Sequence, residues 1–330
     1  MRIAIVGAGL SGLSIATYLL RKNSAIHITI FDQDGIGRGA SSLASLLHPY
    51  PGKHGKRSLY ADAALRIARE LFKFAEKFAT QSFVSSGILR SIYTLEQEQN
   101  FISMGKLYGD VHSYHSSLPL FHISSGFTIN TSEYLQSLWK FCKKYNATLI
   151  CQKIISLKEL HNFDHIVLAM GSGIEKFDVI DNYSLDFVKG QILYSNIKSI
   201  CHIPMSCIAK GYIAQVPNSN IHLGSTYEHN FTQTDFSLEE AQENIIGKLI
   251  PYFPWVEEVP ICGGHAAVRV CNKRHYFPVF DKISPRLSLM TAMGSRGLLY
   301  HAIMGLRGAE QILSESISVS YTHLRAHETS

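Results

Sequence analysis

The chain is poor in the features that mark a metalloprotein, a disulfide scaffold or a membrane span. Its six cysteines, Cys142, Cys151, Cys201, Cys207, Cys262 and Cys271, include no CxxC pair and no histidine at metal spacing. That excludes a zinc module and a paired-cysteine framework. No apolar run reaches the length that crosses a bilayer. The apolar start carries glycines in a pattern foreign to a leader peptide, and no stop-transfer segment follows it. Charged residues are 17% and apolar ones 46% of 330 residues, a globular rather than a disordered balance. The formal charge of +5 suits an anionic substrate or an RNA and specifies neither. Scattered thiols without a leader point to a reducing cytoplasm. A chain this long is expected to form two lobes.

What is present is concentrated between Met1 and Asp34. Arg2-Ile-Ala-Ile-Val6 reads as a buried parallel strand. It runs into Gly7-Ala-Gly9-Leu-Ser-Gly12 and then Leu13 to Leu20 at helical period. A second strand, Ile26 to Phe31, ends at Asp32, twenty residues past Gly12. This is a dinucleotide fingerprint with its strand, helix and acid in place. Gly7 makes the tight turn, Gly9 admits a pyrophosphate to the backbone, and Gly12 lets helix and strand pack. The helix N-terminus offers N–H groups to the phosphates. Asp32 is suited to ribose hydroxyls, and its charge repels a 2′-phosphate.

The rest of the chain alternates between ligand-approach segments and sheet-rich ones. Gly35 to Ser45 is rich in small residues, with Ser41 and Ser42 as hydrogen-bond donors to a large ligand. Leu46-Leu-His-Pro-Tyr-Pro-Gly52 leads to the basic cluster Lys53, His54, Lys56 and Arg57, which is either solvated surface or a substrate rim. Ser58 to Thr80 has the apolar spacing of a helix. Phe83 to Phe127 reads as strands of an antiparallel sheet. Asn130-Thr-Ser-Glu133 caps a helix through Tyr145. Ala147–Cys151 and Lys153–Leu157 read as strands. His165 to Met170 is an apolar strand ending on Gly171 and Gly173, which returns to the first sheet rather than making a second nucleotide site. Lys189 to Glu228 is strand-rich, and Ser237-Leu-Glu-Glu240 caps a helix through Ile250. Leu287–Thr291, Gly294-Ser-Arg-Gly297 and the apolar Leu298 to Leu313 form strand, glycine turn and helix, a further backbone approach to ligand. One lobe built from three separated pieces explains this order better than two consecutive domains.

Several strings then carry a family resemblance. Gly7-x-Gly9-x-x-Gly12, Asp32, Gly39-Ala-Ser-Ser42, Val188-Lys-Gly-Gln191, Gly211-Tyr-Ile, Gly224-Ser-Thr-Tyr227 and Gly294-Ser-Arg-Gly297 resemble, in order, the FAD-dependent D-amino-acid oxidase superfamily. The resemblance runs to about Leu313. Within the group, Gly224–Tyr227, Gly294–Leu298 and Ala44–Pro49 are most similar to the oxidase half of the bifunctional tRNA 5-methylaminomethyl-2-thiouridine biosynthesis protein and its stand-alone relatives.

The resemblance implies an α/β fold: a Rossmann-type FAD-binding lobe from discontinuous segments (1–82, 146–184 and 262–315) and a sheet-rich α+β substrate lobe (83–145 and 185–261). It implies FAD as cofactor, bound by Gly7, Ala8, Gly9, Leu10, Ser11, Gly12, Asp32, Gln33, Gly39, Ala40, Ser41, Ser42, Ile154, Ala169, Gly171, Gly294, Ser295, Arg296, Gly297 and Leu298. It also implies oxidation of an amine C–N bond with hydride passing to flavin N5, which needs no metal. Arg296 would sit by the flavin's pyrimidine edge. Arg269 is the candidate for a substrate carboxylate, which a planar guanidinium meets bidentately, and Tyr212 for a hydroxyl in the pocket. The ordinary alternatives for these two are a surface salt bridge and a packed core tyrosine.

The family's arginine–aspartate–proline order is altered here to Arg269-Val-Cys-Asn-Lys-Arg-His275-Tyr-Phe-Pro278, with His275 where aspartate is usual, so the role falls to Arg269, to Arg274 or to neither. Cys271 is out of register for covalent flavin attachment. Residues 316–330 are polar, lose the helix period and resemble translated adapter sequence, so they are set aside as a non-native tail. Three functions follow. The first is an amine oxidoreductase acting on carboxymethylaminomethyl-uridine of tRNA, with Lys53, Lys56 and Arg57 rimming an open pocket. The second is an oxidase of glycine, sarcosine or a D-amino acid with a closed pocket. The third is a flavoprotein that binds FAD without turnover.

Overall fold

In the computed structural model, residues are described throughout except Lys53, Ser117, 198–202 and 328–330; from 315 to 327 only the backbone is described. The expected tail and Cys201 therefore fall largely or wholly outside the described residues. The chain forms β1 (Arg2–Val6), α1 (Leu10–Lys22), β2 (His27–Asp32), β3 (Leu46–Leu47), α2 (Ala61–Glu76) and β4 (Val84–Ser91). Next come α3 (Leu95–Tyr108), β5 (Val111–Tyr114), β6 (Leu120–Ile129), α4 (Thr131–Lys144), β7 (Thr148–Cys151) and β8 (His165–Leu168). The remainder is β9 (Leu185–Ser195), β10 (Cys207–Ile208), β11 (Tyr212–Gln215), β12 (Ile221–Gly224), α5 (Leu238–Leu249), β13 (Gly263–Asn272), β14 (Val279–Ser284), β15 (Leu287–Thr291) and α6 (Gly297–His327).

The first sheet has the order β14-β15-β8-β1-β2-β7. Its strands come from three distant stretches, and all neighbours pair in parallel except β14 with β15. Ile3, Ile5, Ile28 and Ile30 pack one face of it against Leu13, Leu19 and Leu299 in the largest core cluster. The β-branched residues of β1 and β2 suit a strand covered on both sides. The second sheet runs β13-β9-β12-β11-β10-β4-β6-β3, with β5 on β6. Its own core gathers Leu193, Ile213, Leu223, Ile245 and Phe253 under α5. The whole is an α/β fold: a Rossmann-type sheet facing a larger, mostly antiparallel one. No described helix is long and apolar enough to cross a membrane.

Four sequence expectations shift. Residues 263–272, assigned above to the nucleotide lobe, pair antiparallel with β9 over their whole length and so belong to the second sheet. In the opposite sense, α4 packs with α1 and α2 through Leu135, Leu138 and Phe141, so its place is the first lobe. The stretch 83–127 contains α3, which the strand reading missed. Only Gln97 and Phe101 of that helix are buried, so its apolar period is faint, although Thr94 caps it by accepting the Gln97 N–H at 3.2 Å. Lys153–Leu157 is not a strand: β7 is the sheet's edge, and Glu159 instead accepts the N–H groups of Ile155 and Ser156 in a capping box. Asn130 and Ser237 cap α4 and α5 as read from sequence.

Candidate active site

A cavity of about 790 Å³ opens at the C-terminal ends of β1, β2 and β8 and runs across to the inner face of the second sheet. Open parallel sheets place their ligands at such strand ends. At this end the wall is main chain. A Cβ on Gly7 would lie 2.2 Å from the Ala169 carbonyl oxygen, and its φ of +113° suits glycine alone. A Cβ on Gly12 would lie 1.8 Å from the Gly7 carbonyl oxygen, so the entry of α1 sits directly on the turn. The Leu10 N–H donates to Ser41 Oγ at 3.0 Å, and the Leu13 N–H closes the first helical bond to Gly9. The first N–H groups of a helix have no intrahelical partner, so the start of α1 at Ser11, in the cavity wall, offers them to an anion at the positive end of the helix.

Asp32 binds both loops together. One carboxylate oxygen accepts the Ala8 N–H at 2.8 Å, and the other accepts those of Asp34 and Gly35 at 3.0 Å. Its charge is thereby fixed at the rim where a ribose would lie. Thr291, at the end of β15, lines the cavity with a buried hydroxyl that has no partner. A glycine cradle, free helix N–H groups, a positioned acid and an orphaned hydroxyl all fit an adenine dinucleotide.

The far end of the cavity is made of side chains. Among the described strand residues of the second sheet that line the cavity, Arg269 is the one charged group, 7% exposed and without hydrogen bond or ion pair. A Cβ on Gly190 would come within 2.4 Å of Arg269 Nη2, so glycine there lets the guanidinium lie flat on β9. The Tyr212 ring lies against Gly224, and its hydroxyl donates to the Leu43 carbonyl at 3.3 Å. Burial pushes the Tyr212 and Tyr227 hydroxyls up to about 12 against the opposing pull of Arg269, so both stay protonated. His48 lines the cavity between the lobes, and its Nδ1 accepts the Tyr50 N–H at 3.3 Å. Burial, with the charges of Arg90 and Arg296, holds this imidazole down at about 3. It is a neutral ring whose proton sits on Nε2.

Of the site residues read from the sequence, Gly7, Gly9, Leu10, Ser11, Asp32, Gln33, Gly39, Ala40, Ser41, Ile154, Ala169, Gly171, Gly294, Ser295, Gly297 and Leu298 line the cavity, with Arg269 and Tyr212. Four do not. Ala8 is fully buried behind Asp32, and Gly12 is covered by Gly7. Ser42 turns its hydroxyl back to the Gly39 carbonyl. Arg296 leaves the turn on the side of Tyr276, with its guanidinium 5.8 Å from that ring's centroid. Arg274 is exposed and outside the cavity lining, whereas Arg269 is inside. Sequence reading missed His48, Tyr227 and Thr291. All three lie within strings singled out above, but only the packing shows which way each points.

The basic cluster divides. Lys53 lies outside the described residues, and Lys56 is exposed. Arg57 is turned inward: its guanidinium donates to Asp110 at 2.8 Å and also reaches Asp62 and Tyr50. Burial pushes the Asp110 carboxyl up, but hydrogen bonds from Ser125, Tyr50 and Arg57 outweigh it and hold the group below the usual range.

Fold and cavity together fit a two-lobed dinucleotide-binding protein with a buried cation, Arg269, in the wall of its second lobe. The profile of the DAO family, the FAD dependent oxidoreductases, matches residues 2–311. The chain belongs to that family, and its cofactor is FAD. Solved structures share the fold at low identity. Glycine oxidase from Geobacillus kaustophilus superposes with a TM-score of 0.80 at 15% identity, covering 95% of each chain. Iminodiacetate oxidase from Chelativorans sp. BNC1 gives 0.75 at 15% over 95% of each. L-proline dehydrogenase from P. horikoshii gives 0.75 at 13%, over 94% of this chain and 92% of that one.

Proposed function

We propose that the protein oxidises the C–N bond of a small amine that carries a carboxylate. The observation that carries this reading is Arg269, a buried guanidinium with no partner on an otherwise uncharged sheet face of the cavity. An unpaired buried charge is costly, and a substrate carboxylate would relieve it through two parallel hydrogen bonds. Bound FAD supplies the acceptor for the hydride equivalent that leaves the amine's α-carbon. Arg269 orients the substrate by its carboxylate, and the protonated hydroxyls of Tyr212 and Tyr227 complete the wall. Among the described residues no carboxylate or lysine of the second sheet's strands lines the cavity, and His48 keeps its proton on Nε2. The guanidinium also disfavours an ammonium beside it, so the amine is taken in its neutral form. Loss of hydride and a proton leaves an imine, which water splits into an amine and an oxo acid.

Glycine, sarcosine and D-amino acids are the substrates this arrangement favours. Structural relatives named for action on glycine and iminodiacetate support the same class. The tRNA reading asked for a basic rim, and Arg57 is committed to Asp110 instead. The five described cysteines are free thiols, which supports the cytoplasmic placement. The test is anaerobic addition of substrates to the purified yellow protein. Bleaching by glycine, sarcosine or D-alanine is the expected result. Bleaching by tRNA bearing the carboxymethylaminomethyl group, with none by the small amines, would overturn it. No bleaching by any amine would leave a flavoprotein without turnover.

A further inference from the structure

A second buried arginine sits on the same sheet face as the first. We propose that the preferred substrate carries a second carboxylate on its N-substituent, and that Arg90 is the residue that receives it. This rests on the reading of Arg269 given above.

The placement follows from the register of the second sheet. Arg90 on β4 is directly opposite Ile208 on β10, which is directly opposite Tyr212 on β11. Directly opposed residues of neighbouring strands share a face. Ile208 and Tyr212 both line the cavity, so Arg90 stands on the cavity face, two strand spacings or about 10 Å from Tyr212's strand. Its Nη2 donates to the carbonyl of Gly52 at 2.8 Å, and Gly52 is itself part of the cavity wall. The side chain therefore lies immediately behind the Pro51–Gly52 edge of the site. Its charge also reaches His48 inside the cavity.

What marks Arg90 is how little holds it. It is 4% exposed, yet its remaining contact is a 3.5 Å approach to the Tyr93 hydroxyl, and its buried Nε has no partner. No carboxylate lies within ion-pair distance of it among the described residues. An arginine keeps its charge even when buried. Arg57 shows how this fold treats a buried guanidinium with a structural role: it is given Asp110, Asp62 and Tyr50. Arg90 and Arg269 are left without counter-ions, on either side of Tyr212. A substrate whose amine lies by Tyr212 would present its α-carboxylate to Arg269 and extend its N-substituent toward Arg90.

The experiment uses the holoenzyme and two matched series under anaerobic conditions. One is N-(ω-carboxyalkyl)glycines with one to five methylenes; the other is N-alkylglycines of equal length. At least one diacid is expected to reduce the flavin with kcat/KM ten-fold or more above its uncharged counterpart. In Arg90→Met that ratio should fall about 10- to 100-fold, the worth of one charge-assisted hydrogen bond, with the change in KM rather than kcat. Arg90→Lys should restore part of it. If the N-alkylglycines react and no diacid of the series outperforms its counterpart, the Arg90 assignment is overturned and the Arg269 reading stands. The assignment is overturned in the same way if Arg90→Met lowers both series equally, the signature of a merely structural role. If neither series reduces the flavin, the reading of the site fails first. Should Arg90→Met not fold, the wild-type series and Arg90→Lys still decide.

Discussion

The two ends of the cavity are built from different materials. At the nucleotide end, Gly7 and Gly9 bring main chain to the cavity, Gly12 packs α1 onto the turn, and Asp32 ties the two loops through three backbone N–H groups. At the amine end, Arg269, Tyr212 and Tyr227 reach in from separate strands or loops of the second sheet, and the main chain only spaces them. A backbone site is also a packing site, so a change there strikes fold and cofactor together. A side-chain site stands on strands that pair without it, so a change there should strike turnover and spare the fold. Three substitutions put that difference at risk, and a fourth probes the core beneath it.

The largest effect is expected at Gly12. A valine would drive its side chain into the Gly7 carbonyl, with a Cβ already 1.8 Å away. The cost, on the order of 4 kcal/mol or more, should leave no soluble yellow protein. A Gly12→Val protein purified with normal flavin absorbance would refute the packing role of this turn. Next is Arg269→Met, which should lower kcat/KM for carboxylated amines about 10²- to 10³-fold, the usual cost of removing one partner of a buried charge pair. Its flavin content and melting temperature should stay near wild type. A loss of flavin instead would erase the distinction between the two ends.

Asp32→Ala should be milder. It strands the N–H groups of Ala8, Asp34 and Gly35, at roughly 1–3 kcal/mol in total. Equilibrium dialysis should show weakened FAD retention, and KM for the amine in the FAD-saturated enzyme should be unchanged. The most gradual effect is a pH dependence in the core. His301 is fully buried, with Nε2 2.7 Å from the Tyr134 hydroxyl and Nδ1 facing the Gly297 and Leu298 carbonyls. Burial holds it down at about 4, against 6.5 in the unfolded chain. The unfolded state therefore binds a proton that the folded state refuses. Stability from this group is complete above pH 6.5 and declines toward pH 4, by up to about 1.4 kcal/mol per pH unit. Unfolding midpoints measured from pH 7 to 4.5 should fall, with a shallower slope in His301→Gln.

The contrast also explains what could be read from the sequence. The fingerprint, Asp32 and the glycine turn at Gly294 were legible because a backbone site is written in consecutive residues. Arg269 and Tyr212 came from family resemblance, since nothing local tells a buried arginine from a surface one. The direction of Arg296 and the inward turn of Arg57 were hidden for the same reason. Each depends on partners distant in the chain, Tyr276 by a turn and Asp110 by β5. His48 and Arg90 escaped notice because the place of the first follows from packing between the lobes and that of the second from strand register. The helix α3 escaped because it buries almost no apolar stripe.

The central claim is that Arg269 anchors a carboxylate beside the flavin. The most direct measurement is titration of the oxidised protein with a simple carboxylate that cannot be oxidised, such as acetate, followed by the flavin absorption spectrum. The account predicts a saturable spectral shift in the wild type that weakens at least ten-fold in Arg269→Met, with bound FAD unchanged. The same dissociation constant in both proteins would contradict it.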